Sequence, residues 1–206
     1  MKRSKKPGNT GPIAPKSAVE AANAQKKSKT VLAWHFLPDD RLTRFSRLPV
    51  REGETISVSG PLQACANGLH ASLHPYDAFG YYKSFTLCRV ELSGEMLTES
   101  DKLCARNRKC LAIRDVKKAV LLFAADCAER ALGTVKTPDP RSIAAVRAVR
   151  EFAEGRITKG ELEAARSAAR DAWRIAYDAA ADAAARQAFQ QWAREQFLKR
   201  MEEQFK

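Results

Sequence analysis

Phe85-Thr86-Leu87-Cys88-Arg89-Val90-Glu91-Leu92-Ser93-Gly94-Glu95 is the stretch that decides the fold. Phe85, Leu87, Arg89 and Glu91 fall on one side, Thr86, Cys88, Val90 and Leu92 on the other. That period of two is the pattern of a strand with a buried face. Ser93-Gly94 reads as a turn, with Glu95 to Thr98 pairing back. Beyond it, Leu103 to Ile113 is a last strand with Cys104 and Cys110 on the same parity. On the other side, Val31-Leu32-Ala33-Trp34-His35-Phe36 is a short strand ended by Pro38-Asp39-Asp40. Glu54 to Val58 alternates and is stopped by Gly60-Pro61. His74-Pro75 opens a short helix through Tyr82, with Tyr76 and Phe79 on one face. Residues 31–114 therefore read as a mixed unit around a small, mostly antiparallel sheet.

The chain then turns helical. Asp115 is a good N-cap, Val116 to Leu132 is apolar on one side, and Gly133 fits the position after the last turn. Asp139-Pro140 caps a second helix, which runs to Glu154 and stops at Gly155. Thr158-x-x-Glu161 has the form of a capping box. A straight helix from there to Phe205 would be about 70 Å long. A compact chain of this length is only about 43 Å across. The apolar stripe also changes face: Leu162, Ala165, Ala169, Ala172, Ala176, Ala179 and Ala183 give way to Phe189, Ala193, Phe197, Met201 and Phe205. That change predicts a kink or break near Ala185 to Ala188, or two different partners for the two halves.

Charge divides the chain again. Of a net +12 over 206 residues, residues 1–30 carry 8 Lys/Arg against 1 Asp/Glu. This lead has no aromatic residue and contains Pro7, Pro12 and Pro15, so it reads as a disordered basic arm. The body is near neutral, unlike a groove-filling DNA-binding domain. The arm itself is able to touch nucleic acid, but without rings to stack bases that contact would be blind to sequence. No apolar run of about eighteen residues occurs, so no membrane span is expected. The 5 cysteines, an odd number at no framework spacing, suit free thiols in the cytoplasm.

Chemistry concentrates in Cys65-Ala66-Asn67-Gly68-Leu69-His70-Ala71-Ser72. Asn67-Gly68 suits a tight turn that lets a ligand or a strand approach the backbone. His70 and Ser72 would flank that approach, with Leu69 and Ala71 inside; alternatively the segment is only a hairpin entering the core. Cys65, His70, His74 and Cys88 invite a zinc reading, but only the His70/His74 spacing fits a knuckle, so no metal is assigned. Cys65 or Ser72 with His70 and Asp77 is the one nucleophile cluster close enough in sequence to consider. No nucleophile elbow, phosphate loop or dinucleotide fingerprint occurs, and no cofactor is assigned. Lys102, Arg106, Arg108 and Lys109 form a basic strand face, either a solvated edge or a phosphate contact. Candidate binding residues are Asn67, Gly68, His70, Ser72 and Asp77.

The Cys65–Ser72 run, Cys88-Arg89-Val90-Glu91-Leu92-Ser93-Gly94-Glu95, Trp34-His35-Phe36, Pro38-Asp39-Asp40-Arg41, Asp77-Ala78, Asp101-Lys102-Leu103 and the alanine-rich end together resemble a bacterial and bacteriophage domain family of unknown function. The likeness covers about residues 33–200. It implies a small cytoplasmic protein of phages, prophages or mobile elements with an accessory or host-interaction role, and it supplies no catalytic residues to carry over.

The sequence thus predicts an α+β chain: a basic arm (1–30), an α+β domain (31–158) and a long alanine-rich C-terminal helical segment (159–206). The expected role is a non-enzymatic protein-interaction module, meeting a partner or a second copy through the C-terminal helix. Nucleic-acid association through residues 1–30 is one alternative. An enzyme centred on the Gly68–Ser72 segment is the other.

Overall fold

The computed structural model describes residues 30–81, 84–167 and 183–206. Its strands are β1 (Val31–Leu37), β2 (Thr55–Ser57), β3 (Leu69–Ala71), β4 (Thr86–Thr98) and β5 (Leu103–Asp115). The helices are α1 (Pro75–Phe79), α2 (Lys117–Leu132), α3 (Pro140–Ala153), α4 (described over 159–167) and α5 (Ala183–Glu203). The α+β expectation holds.

All strand pairs are antiparallel, in the order β1-β4-β5-β2, with β3 beside β2 along the same edge of β5. The sheet curls far enough that Trp34 of β1 and Ser72, just after β3, exchange both backbone hydrogen bonds, at 2.8 and 2.9 Å. Curling separates two apolar clusters. Inside the curl lie Ala33, Leu37, Leu69, Cys88, Val90 and Leu92. On the outer face Trp34, Phe36 and Leu87 meet α1, α2 and α5.

Two turns differ from expectation. Ser93-Gly94 is no turn: β4 runs through it as a bulge, pairing Ser93 with Asn107 and resuming at Met96 with Ala105. Gly94 has φ +79°, and a Cβ there would lie 2.8 Å from Asn107 Nδ2, so glycine serves a bulge as well as it would a turn. The hairpin reverses instead at Glu99–Lys102, where the Glu99 amide donates to the Lys102 carbonyl at 2.9 Å. Asn67-Gly68 likewise follows a turn rather than making one. Gln63 bridges Asn67, and Cys65 between them takes the left-handed conformation with φ 62°.

The caps follow their chemistry. Asp139 accepts from the Arg141 amide at 2.8 Å with Pro140 at the first helical position. Thr158 and Glu161 form the reciprocal box, Thr158 N donating to Glu161 Oε2 at 2.7 Å and Glu161 N to Thr158 Oγ1 at 3.3 Å. Asp115, expected at the N-cap, lies two residues before α2 and accepts from Lys117 N at 2.8 Å, while Val116 takes the cap position without a side-chain hydrogen bond.

The aromatic stripe of α5 is committed to the chain's own core. Phe197 and Met201 are fully buried, and the Phe197 ring lies 4.8 Å from Phe123 and 5.0 Å from Phe79. The Asp77–Arg194 ion pair ties α1 to α5, and Asp126–Arg200 ties α2 to it. Most of the alanine stripe, the basic arm over 1–29 and Tyr82 lie outside the described residues. Helix α5 is helical across 185–188, and the segment before Ala183 that would define a kink lies outside them too.

Candidate functional site

Closing the sheet at Trp34–Ser72 leaves a cavity of about 330 Å³ between the end of β1, β3, the start of β5 and the 38–50 loop. Its wall gathers residues far apart in sequence: His35 from β1, His70 from β3, Lys102 and Arg108 from the β5 side, and Phe45 from the loop. Among the described residues no Asp or Glu lines it.

Each side chain has a local reason to be there. The 38–50 loop is held by its own backbone. Leu42 bridges Pro49, Thr43 N donates to the Leu48 carbonyl at 2.8 Å, and Leu48 N donates to Thr43 Oγ1 at 2.8 Å. That frame presents Arg44 and Phe45 to the cavity, with the Arg44 guanidinium 5.5 Å from the Phe45 ring centroid. His35 alternates inward with Ala33 and Leu37, while Trp34 turns to the outer face, where the Arg89 guanidinium lies over its ring at 4.3 Å. Gly68 lets β3 pass β5 at close range: its φ is +149° and a Cβ would sit 2.1 Å from Cys104 Sγ.

Arg108 is the unusual member. It pairs across the sheet with Ile56 and Leu92, residues of the interior cluster, so its side chain enters the curl. Only 3% of it is exposed. Its Nη1 donates to the His70 carbonyl at 2.7 Å, and its buried Nη2 has no partner. Among the described residues no carboxylate forms an ion pair with it. Burial pulls its pKa down to about 10, so it remains charged at neutral pH. Such a charge, taken out of water without a counterion, costs several kcal/mol.

Two of the other cations in the wall are better matched. Lys102 pairs with Glu99 at 3.0 Å, and Arg47 pairs with Asp40 at 2.8 Å. Lys102 Nζ also donates to Cys65 Sγ and to the Tyr81 hydroxyl, both at 3.4 Å, and lies 4.8 Å from the Tyr81 ring centroid. Tyr81 in turn donates to Asp101 at 2.5 Å, which pushes its phenol pKa up.

Both histidines are held neutral. Burial depresses His35, and the Arg108 charge adds to that. Burial likewise depresses His70, with Lys102 and Arg108 adding. His70 Nε2 accepts from the Cys65 amide at 3.1 Å, which leaves Nδ1 to carry the ring proton. Neutral donors and cations around a cavity to which no described residue brings an acid suit a negatively charged ligand and repel a cation.

Of the residues singled out in the sequence around this segment, Cys65, Gly68, His70 and Ser72 line the cavity. Ser72 is buried and its backbone closes the sheet. Asn67 faces elsewhere, its Nδ2 donating to the carbonyls of Ser59 and Pro61 at 2.8 Å each. Asp77 is bound to Arg194. Cys65, His70, His74 and Cys88 do not converge. His74 caps α1 by accepting from Tyr76 N at 3.1 Å, and the Cys88 and Cys110 sulfurs lie 3.6 Å apart. Among the described residues no three His, Cys, Asp or Glu side chains gather as metal ligands. Lys102 and Arg108, read in the sequence as part of a basic strand face, line the cavity too, and Arg108 is buried rather than on a solvated edge. His35 and Phe45 were not singled out, because nothing local marks either as facing a cavity.

The family model of a domain of unknown function (DUF7666) matches residues 40–121. That span holds the 38–50 loop from Asp40 onward, β2 to β5 and the start of α2, and it leaves out β1 and α5. No curated protein and no solved structure matches the chain. No helix among the described residues is long and apolar enough to cross a membrane.

Proposed function

We propose that this chain is a non-enzymatic binding protein, an accessory factor of the phage or mobile-element kind acting in the cytoplasm, whose ligand is a small anion held against Arg108. One observation carries the reading: among the described residues, a buried guanidinium lines a cavity without a carboxylate, and one of its nitrogens has no partner. A bound anion supplies that counterion and offsets the cost of burying the charge. The same wall supports a non-enzymatic role. A nucleophile and base of the Ser-His-Asp type are oriented by an acid, and among the described residues no acid lines this cavity. Asp77, the acid nearest in sequence, is bound to Arg194.

Contact with a protein partner fits this reading through the alanine-rich stretch rather than through Phe189–Phe205, whose apolar members pack within the chain.

Titration calorimetry of the full chain with inorganic pyrophosphate tests the reading. Binding is expected to weaken with added salt and to fall at least tenfold in Arg108→Met. Absence of binding at millimolar pyrophosphate, or equal affinity in the variant, contradicts it.

A further inference from the structure

We infer that the anion belongs to a nucleotide: the cavity takes a mononucleotide, with its phosphate toward Arg108 and its base at the aromatic lip. The inference rests on the anion-binding reading and adds the ligand class.

The cavity is chemically two-sided. Deep in it lie Arg108 and the two neutral histidines, with Ser72 beside them. At its edge stand two aromatic rings that the fold leaves open, Phe45 at 42% exposure and Tyr81 at 45%. Neither is idle surface. Phe45 lies 5.9 Å from the His70 ring, tilted by 59°, and the cations Arg44 and Lys102 sit over Phe45 and Tyr81 respectively. A planar base placed against such rings gains about 1 to 3 kcal/mol by stacking. The cations over those rings add attraction for a π-system.

Charge favours phosphate over carboxylate. Arg44 and Arg108 have no ion pair among the described residues, and they enter the cavity from different elements. A phosphate monoester brings a charge of about −1.5 to −2 and three acceptor oxygens, enough to meet more than one donor at once. A carboxylate brings one charge and two oxygens. Size sets the upper limit, since about 330 Å³ is at the low end for small-molecule sites and suits one nucleotide rather than a strand.

The test compares four probes by titration calorimetry on the full chain: adenosine monophosphate, guanosine monophosphate, ribose 5-phosphate and inorganic phosphate. At least one mononucleotide is expected to bind ten times or more tighter than ribose 5-phosphate. The double variant Phe45→Ala, Tyr81→Ala is expected to lose that margin and keep its affinity for ribose 5-phosphate. Both rings are exposed, so the variant keeps its fold, and circular dichroism verifies this. Mononucleotides and ribose 5-phosphate binding alike overturns the nucleotide inference and leaves anion binding standing. An undiminished margin in the double variant overturns the placement of the base. No binding of any phosphorylated probe overturns both readings.

Discussion

Gly68 and Cys104 share a space too small for one more atom. With φ +149° and a Cβ destined to sit 2.1 Å from Cys104 Sγ, Gly68→Ala strains the backbone and forces β3 off β5. The expected loss is about 2 to 3 kcal/mol in urea denaturation. Adding Cys104→Ala is expected to return part of it, because the two changes act on one contact. Simple additivity would show that the contact is not the cause. The three histidines set a second behaviour at this scale. Burial is the first cause of depression in His35, His70 and His74 alike. The unfolded chain therefore binds more protons near their ordinary pKa of about 6.5, and stability falls as pH drops below it. Urea midpoints are expected to decline between about pH 7 and pH 5, above the range where ordinary carboxylates titrate. A flat profile, or one that rises toward acid, contradicts the burial of these rings.

Among the elements, α5 separates two views of the C-terminal segment. As part of the core, its Phe197 is fully buried against Tyr76, Phe79 and Phe123. Phe197→Ala is then expected to cost about 3 to 5 kcal/mol. A detachable contact helix would tolerate the change with little loss. This stripe was legible in the sequence because spacing on one helix is a local property. So were the Asp139 cap and the Thr158–Glu161 box, whose partners lie within three residues. Ser93-Gly94 was misread because a positive φ serves turns and bulges equally. Choosing between them depends on Asn107 across the hairpin, which no local pattern reveals. The site was half legible for the same reason. Gly68, His70 and Ser72 are neighbours in sequence, and Lys102 and Arg108 stand out as basic residues of one strand segment, whereas His35 joins them only when β1 meets the end of β3.

For the whole molecule, the closed sheet sorts the thiols. Cys65 is exposed at the cavity, Cys127 is intermediate, and Cys88, Cys104 and Cys110 are buried. Ellman's reagent is expected to label Cys65 first and the buried three only on unfolding, and pyrophosphate is expected to slow the first phase. Equal rates for all thiols would mean the curl is open. The central claim is that Arg108 is kept for a ligand and not for the fold. Its most direct test is the unfolding free energy of the wild type and Arg108→Met, each with and without phosphate. An apolar replacement for an unpaired buried charge is expected to be neutral or to stabilise by about 1 to 4 kcal/mol, and phosphate is expected to stabilise only the wild type. A variant that is several kcal/mol less stable, beside a wild type indifferent to phosphate, would contradict the account.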